Sequence, residues 1–143
     1  GGKNFAHVAK GMIESGIPVL GHIGMLPQSL NELGGYRTQG KSEAESERLI
    51  EDALALQDVG VFALVIEKTY SETVARIAEA LKIPTIGIGS GTHCDGQILV
   101  LNDILGLYDK FMPPFARKYT DLKSEIIKAA SQFAEDVRNK KFP

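Results

Sequence analysis

Apolar residues form two kinds of pattern along this chain of 143 residues. Segments with helical spacing alternate with short, near-continuous apolar segments, and the latter indicate strands buried on both faces. The predicted strands cover residues 17–25, 61–67, 84–89 and 96–103. The predicted helices begin near residues 4, 42, 71 and 124. This order predicts an α/β protein in which helices cover a parallel sheet.

Capping residues mark the ends of the predicted helices. Asn4, Ser42 and Ser71 stand where N-caps are expected, and Ser42 forms a capping-box pattern with Glu45. Gly16 is expected to end the first helix. These signals place the predicted helix boundaries to within a few residues.

Composition and charge narrow the class of protein. The net charge is −2 and charges of both signs are interspersed, so we expect neither a nucleic-acid partner nor a membrane partner. Cys94 is the single cysteine, which excludes an internal disulfide and fits a reducing, cytoplasmic environment. The length predicts one domain over residues 1–143.

Polar groups follow the predicted strands where ligands are bound in parallel α/β folds. The carboxyl ends of parallel strands meet at one edge of the sheet. The four predicted strands end at His22, Glu67, Gly89–Gly91 and Asn102–Asp103. We therefore expect an acid, an imidazole and a glycine turn to converge there. A connection of sixteen residues, 26–41, follows the first strand and is long enough to suggest a functional loop.

Glu67 is the strongest candidate for chemistry in this set. It directly follows an apolar strand, and partial burial raises the pKa of a carboxyl group toward the range useful for proton transfer. The alternative is a surface glutamate paired with Lys68. His22 lies between Gly21 and Gly24, and from the residues alone it fits a core histidine bonded to a backbone carbonyl at least as well as a ligand contact.

The glycine run Gly87, Gly89 and Gly91 does not match a dinucleotide-binding motif. Its spacing is G-x-G-x-G, and no helix is predicted to begin at the third glycine. It could form an anion-binding nest of backbone N–H groups or a tight turn beneath a neighbouring loop. The residues alone therefore predict an enzyme with a carboxylate at a strand end, without naming its substrate.

Long segments of the chain resemble a known enzyme family. These segments are "GIPVLGHIGMLPQSLNELGGYRTQGK", "LVIE", "IPTIGIGSGTHCDGQILVLNDILGL" and the closing "FP". They resemble the C-terminal half of the 3-methyl-2-oxobutanoate (ketopantoate) hydroxymethyltransferases. The resemblance implies a (β/α)8 TIM barrel of the phosphoenolpyruvate/pyruvate type, in which this chain forms about strands 5–8 of a single barrel domain.

The resemblance also implies a reaction and roles for particular residues. A hydroxymethyl group passes from 5,10-methylenetetrahydrofolate to 3-methyl-2-oxobutanoate, giving 2-dehydropantoate for pantothenate and coenzyme A synthesis. By motif, Glu67 is the proton acceptor and His22 binds substrate. The glycine-rich loop Leu33–Tyr36, with Gly35 and Tyr36, is assigned to the mouth of the site, as are Gly89 and Ser90. Asp95, Gln97 and Ser90 are expected to hold the second of these loops by hydrogen bonds.

The same resemblance implies that part of the active site lies outside this chain. The family's Mg2+ ligands are expected on the N-terminal half, so none is assigned here. Half a barrel has two open sheet edges and an uncovered apolar face, so we expect it to be unstable alone. The expected partners are the N-terminal half, as a separate or cleaved chain, further copies in a homo-oligomer, and small-molecule substrates.

The sequence is also compatible with two other functions. The chain could belong to another pyruvate-type barrel lyase that uses Glu67 on a different 2-oxo acid. It could also be a non-catalytic half-barrel fragment. A requirement for folate would separate the transferase from the lyase.

Overall fold

A computed structural model describes residues 1–29, 35–108 and 112–143. These residues form two compact units, Gly1–Ile98 and Leu99–Pro143. In the first unit the elements are α1 (Ala6–Glu14), β1 (Leu20–Gly24), α2 (Glu43–Asp58), β2 (Ala63–Glu67), α3 (Ser71–Ala80), β3 (Thr85–Ile88) and β4 (Gly96–Gln97). In the second unit they are α4 (Leu101–Leu105) and α5 (Leu122–Arg138). No helix in the described part of the chain combines the length and the apolar character needed to cross a bilayer.

The first unit is built on one parallel sheet. Its four strands lie in the order β1-β2-β3-β4, and every neighbouring pair is parallel. Helices α2 and α3 connect the first three strands in the βα rhythm that the apolar pattern predicts. The α/β class and the parallel sheet are therefore confirmed.

The core lies between the sheet and the helices α2 and α3. Leu64 and Ile66 of β2 and Val74 and Ile77 of α3 are fully buried. Burial on both faces is confirmed for β2, whose first four residues are all buried. In β1 and β3 burial alternates instead, and Leu20 is 44% exposed. One face of the sheet is therefore packed on helices, while the other is only partly covered.

One of the three expected N-caps is confirmed. The Ser42 side chain accepts a hydrogen bond from the Glu45 backbone N–H, as expected at the start of α2. Helix α3 instead follows Tyr70, so that Ser71 is already helical. Asn4 lies in a 3-10 turn before α1 and makes no cap.

The fourth predicted strand, 96–103, is mostly wrong. Only Gly96 and Gln97 pair with β3, and the apolar residues beyond them form the short helix α4. Asn102 and Asp103 therefore lie in α4 of the second unit and not at a strand end. Gly106 ends this helix in the left-handed conformation, with φ of 65°.

The two terminal helices of the chain leave apolar side chains exposed. Helix α1 buries Ala9, whereas Val8 and Met12 are more than 40% exposed, as is Leu20 on the neighbouring strand. Helix α5 confirms the predicted amphipathic helix near 124–140 and contains no buried residue. Its exposed apolar residues are Ile126, Ile127, Phe133 and Val137.

Candidate active site

The register of the sheet brings His22 and Glu67 to the same face. His22 is opposite Val65, and Gly24 is opposite Glu67 at the carboxyl end of both strands. Because side chains alternate along a strand, residues 22 and 24 of β1 and residues 65 and 67 of β2 share one face. This face is the one that α2 and α3 leave partly uncovered. The predicted meeting of an imidazole and a carboxylate is therefore observed.

The two side chains approach closely without completing a hydrogen bond. His22 Nε2 lies 3.2 Å from Glu67 Oε2, and the side chains are 33% and 13% exposed respectively. The Nε2 atom itself is buried and has no hydrogen-bond partner among the described residues. A buried, unpaired polar atom is costly in a folded protein and is often found where a ligand binds.

Burial moves the pKa of each group toward its neutral form. It raises the pKa of Glu67 above the usual value for a glutamate, and the nearby Lys68 cation opposes this increase. It also lowers the pKa of His22, which favours a neutral imidazole at pH 7. A carboxylate with a raised pKa beside a neutral imidazole is suited to accepting a proton from a bound molecule.

The loop after β3 is held by internal hydrogen bonds, as the sequence predicts. Ser90 is buried, and its hydroxyl donates to the Ile66 carbonyl (2.7 Å) and accepts from the Thr69 N–H (3.1 Å). Gln97 Nε2 donates to the Gly91 carbonyl at 3.0 Å. The Ser90 hydroxyl therefore links the end of β3 to the end of β2 by two hydrogen bonds on either side of Glu67.

The carboxylate of Asp95 anchors the beginning of β3. It accepts hydrogen bonds from the Thr85 N–H and from the Thr85 hydroxyl, at 2.7 and 2.8 Å. These bonds lower the pKa of Asp95. All three polar residues expected to hold this loop thus have structural bonds. Gly89 adopts a φ of 61°, which makes the turn after β3.

The second predicted mouth loop is described only from Gly35 onward. Leu33 and Gly34, which belong to the same motif, lie outside the described residues. Tyr36 lies beside Lys68, whose Nζ donates to the Tyr36 carbonyl at 2.6 Å. Farther along, Gln39 forms a parallel bridge with Thr69. This segment therefore lies against the end of the strand that carries Glu67.

Lys68, which directly follows Glu67, contacts Tyr36, and the sequence did not predict this contact. It was expected at most to pair with Glu67, but its ammonium group instead contacts Tyr36. Its backbone has a φ of 44°, the left-handed conformation that residues other than glycine seldom adopt. Its position next to Glu67 was the only signal in the sequence that pointed to it.

The described residues do not provide a metal site. No three His, Cys, Asp or Glu side chains within residues 1–29, 35–108 and 112–143 are grouped closely enough to hold a metal ion. No ligands for the magnesium ion that the family resemblance implies are therefore assigned among these residues.

The structure places a carboxylate with a raised pKa at the carboxyl end of β2 and a neutral imidazole on the same face of β1. This arrangement on parallel strands is typical of the ligand-binding edge of α/β enzymes. A sequence model of the family "Ketopantoate hydroxymethyltransferase" matches residues 1–143. The chain therefore belongs to the ketopantoate hydroxymethyltransferase family.

Individual relatives agree with the family match. The chain is 50% identical over 143 residues to a 3-methyl-2-oxobutanoate hydroxymethyltransferase of Sulfolobus acidocaldarius, covering all of this chain and 53% of that protein. It is 52% identical to the protein of the same name from Saccharolobus islandicus, strain L.S.2.15 / Lassen #1, again covering 53% of the relative. For the Carboxydothermus hydrogenoformans protein the identity is 47% and the covered share is 52%. The chain thus spans about half the length of the curated relatives it matches.

Proposed function

We propose that this chain carries the proton-accepting part of a ketopantoate hydroxymethyltransferase active site. Glu67 removes the proton from C3 of 3-methyl-2-oxobutanoate, and the electron pair of that C–H bond becomes the enolate. C3 then forms a bond to the one-carbon unit of 5,10-methylenetetrahydrofolate. Both C–N bonds of that unit break, and tetrahydrofolate leaves with its two nitrogens protonated by the C3 proton and a proton of water. Water provides the oxygen of the new hydroxymethyl group, which gives 2-dehydropantoate. The observation that carries this proposal is the mostly buried Glu67 carboxylate, 3.2 Å from His22, at the carboxyl end of the parallel strands.

His22 is proposed to bind the substrate and not to remove the proton. Its buried Nε2 has no hydrogen-bond partner among the described residues. In the tautomer protonated at Nε2, it can donate a hydrogen bond to an oxygen of the 2-oxo acid. Such a bond would orient C3 toward the neighbouring Glu67 carboxylate, since the two side chains share one face of the sheet.

We further propose that the four strands correspond to about strands 5–8 of a (β/α)8 barrel. The N-terminal half of the enzyme would then pack beside β1 and carry the ligands of the magnesium ion. Two observations support this proposal: the chain spans about half of its relatives, and Leu20 of β1 is 44% exposed beside exposed apolar residues of α1. Parallel sheets are normally covered on both faces, so an apolar face left open calls for a partner.

The experiment that tests the function is proton exchange at C3. The enzyme that contains both halves is mixed with 3-methyl-2-oxobutanoate in D2O, and loss of the C3 proton signal is followed by NMR. Glu67→Gln keeps the shape of the side chain but removes the base, so we expect the exchange rate to fall by about 100-fold or more. Glu79→Gln, at an exposed position near the end of α3, is the matched control and should exchange like the parent. Unchanged exchange in Glu67→Gln would show that another group is the base.

The pH dependence of the same exchange tests the state of Glu67. Only the carboxylate accepts a proton, so the rate should rise with pH as Glu67 ionises. Burial raises the pKa of Glu67, so this rise should occur at higher pH than for an ordinary glutamate. A midpoint at or below the ordinary glutamate value would contradict the proposed environment of the base.

The two alternative functions are separated by the products. The transferase needs 5,10-methylenetetrahydrofolate and forms 2-dehydropantoate. Another pyruvate-type lyase would act on a different 2-oxo acid without the folate, and a non-catalytic fragment would exchange no proton even with both halves present.

A further inference from the structure

Lys68 has an unusual backbone conformation directly after the proposed base. Its φ of 44° lies in the left-handed region, which is strained for a residue with a side chain. Its N–H donates to the Ile88 carbonyl at 2.8 Å, and its carbonyl accepts from the Gln39 N–H at 3.0 Å. The conformation of Lys68 is thus fixed from both sides, by β3 and by the segment before α2.

The side chain of Lys68 makes two contacts with a single residue. Nζ donates a hydrogen bond of 2.6 Å to the Tyr36 carbonyl and lies 3.4 Å from the centroid of the Tyr36 ring. The first is a charge-assisted hydrogen bond and the second is a cation–π interaction. Both contacts join residues 32 positions apart in the sequence. They connect the end of β2 with the segment assigned to the mouth of the site.

The rest of that segment has separate anchors. The Gln39 carbonyl accepts from the Tyr70 N–H at 2.9 Å, and the Gly40 carbonyl accepts from the Thr73 hydroxyl at 2.7 Å. Gln39 and Gly40 are also buried. Residues 39–40 should therefore keep their place without the Lys68 ammonium group, which contacts Tyr36 directly.

We propose that Lys68 is a positioning residue that fixes Tyr36, and with it Gly35, at the end of β2 and thereby shapes the entrance used by the one-carbon donor. This inference rests on the proposed function for the identity of the donor, but not for the contact between Lys68 and Tyr36. Lys68 itself is not assigned a bond to the substrate. It acts on the reaction through the position of the Gly35–Tyr36 segment.

Lys68→Met tests this role because it removes the charge and the donor while keeping an unbranched side chain. In the enzyme with both halves, we expect amide hydrogen exchange in residues 35–38 to become about tenfold faster. The KM for 5,10-methylenetetrahydrofolate should rise about five- to tenfold. The plateau rate of C3 proton exchange without the donor, reached at pH values well above the Glu67 midpoint, should change by less than about twofold. Lys82→Met, at an exposed position before β3, is the matched control and should leave all three quantities unchanged.

Two further variants keep the test decisive. Lys68→Arg retains the charge and can bond and stack on the same residue, so it should restore slow amide exchange and the parent KM. Lys68→Gln loses the charge and is shorter, so it should loosen residues 35–38 even if Lys68→Met does not assemble. Loss of the cation should also move the pH midpoint of C3 exchange upward, because Lys68 holds the pKa of Glu67 down.

The outcomes distinguish this inference from the proposed function. Amide exchange in Lys68→Met or Lys68→Gln equal to that of the parent would overturn the role of Lys68. Faster amide exchange with an unchanged KM for the donor would overturn its effect on the entrance. A parent enzyme that exchanges no C3 proton would instead contradict the proposed function, and amide exchange would still decide whether Lys68 holds the segment.

Discussion

Glu67 is paired across the sheet with a residue that has no side chain. Gly24 lies opposite it in the register, with a φ of 90°. A Cβ on Gly24 would overlap the Glu67 carbonyl oxygen and the Thr69 hydroxyl. The Glu67 carbonyl also accepts the Met25 N–H at 2.9 Å, so this carbonyl cannot easily move away. The absence of a side chain at Gly24 thus allows the backbone at the end of β2 to pack against β1.

Replacement of Gly24 by alanine should therefore damage both stability and proton exchange. We expect Gly24→Ala to destabilise the enzyme by about 2 kcal/mol or more, because the left-handed conformation and the overlap act together. C3 exchange should fall by about tenfold or more as Glu67 is displaced. The measurements are urea unfolding and NMR exchange.

Gly11→Ala is the control for this substitution. Gly11 lies within α1, and a Cβ there would meet no atom within 4 Å. Alanine favours the helix over glycine by about 0.5–1 kcal/mol, so this variant should be as stable as the parent or more stable. If both alanine variants behaved alike, the placement of Gly24 against Glu67 would be wrong.

At the scale of single elements, the starts of α2 and α3 can be compared, because a serine stands near each of them. The Ser42 hydroxyl accepts the Glu45 N–H at 3.3 Å, and the Glu45 carboxylate accepts the Lys41 N–H at 3.0 Å. Ser71, in contrast, is the first residue of α3 and its side chain makes no capping bond. Two serines with similar sequence signals thus have different structural roles.

Alanine substitutions at the two serines should differ accordingly. Ser42→Ala is expected to cost about 1 kcal/mol, because an N-terminal N–H of α2 loses its acceptor. Ser71→Ala is expected to change the free energy of unfolding by less than about 0.5 kcal/mol. Urea unfolding of the two variants measures the difference. Equal losses would mean that Ser71 caps α3 after all.

The elements that the sequence predicted well are those with a long or unambiguous pattern. The strand before Glu67 is apolar throughout and is bounded by Gly60, so its position and type were readable. The segment 96–103 is a short apolar run, and such runs fit a strand or a buried helix equally well. The structure divides it between β4 and α4.

The sequence predicted that His22 and Glu67 lie near each other, but it did not predict the distance between them. Parallel strands place His22 and Glu67 at the same edge, and this follows from the order of elements. The distance of 3.2 Å between them depends on the register, which pairs His22 with Val65. No local pattern specifies that register. The left-handed backbone of Lys68 was likewise unreadable, because lysine has no preference for it.

At the scale of the whole molecule, the apolar surface beside β1 is the feature that most needs a partner. Val8 and Met12 of α1 and Leu20 of β1 are 42%, 45% and 44% exposed. Together with Phe5 they line a shallow groove that includes His22, so the surface is continuous with the candidate site. A large exposed apolar patch of this kind usually marks an interaction surface. The proposed N-terminal half would cover it and complete the barrel.

A charge placed on this surface should prevent the two halves from assembling. In Val8→Asp, burial against the N-terminal half would desolvate a carboxylate, so we expect co-expressed halves to assemble at least about tenfold less tightly. His7→Asp places the same side chain on the same helix at a neighbouring exposed position that does not line the groove, so assembly should be retained. The comparison is the fraction of co-expressed halves that remains associated on size-exclusion chromatography over a dilution series. Equal assembly of the two variants would mean that the N-terminal half does not pack on this surface, and the open face of the sheet would then need a different partner.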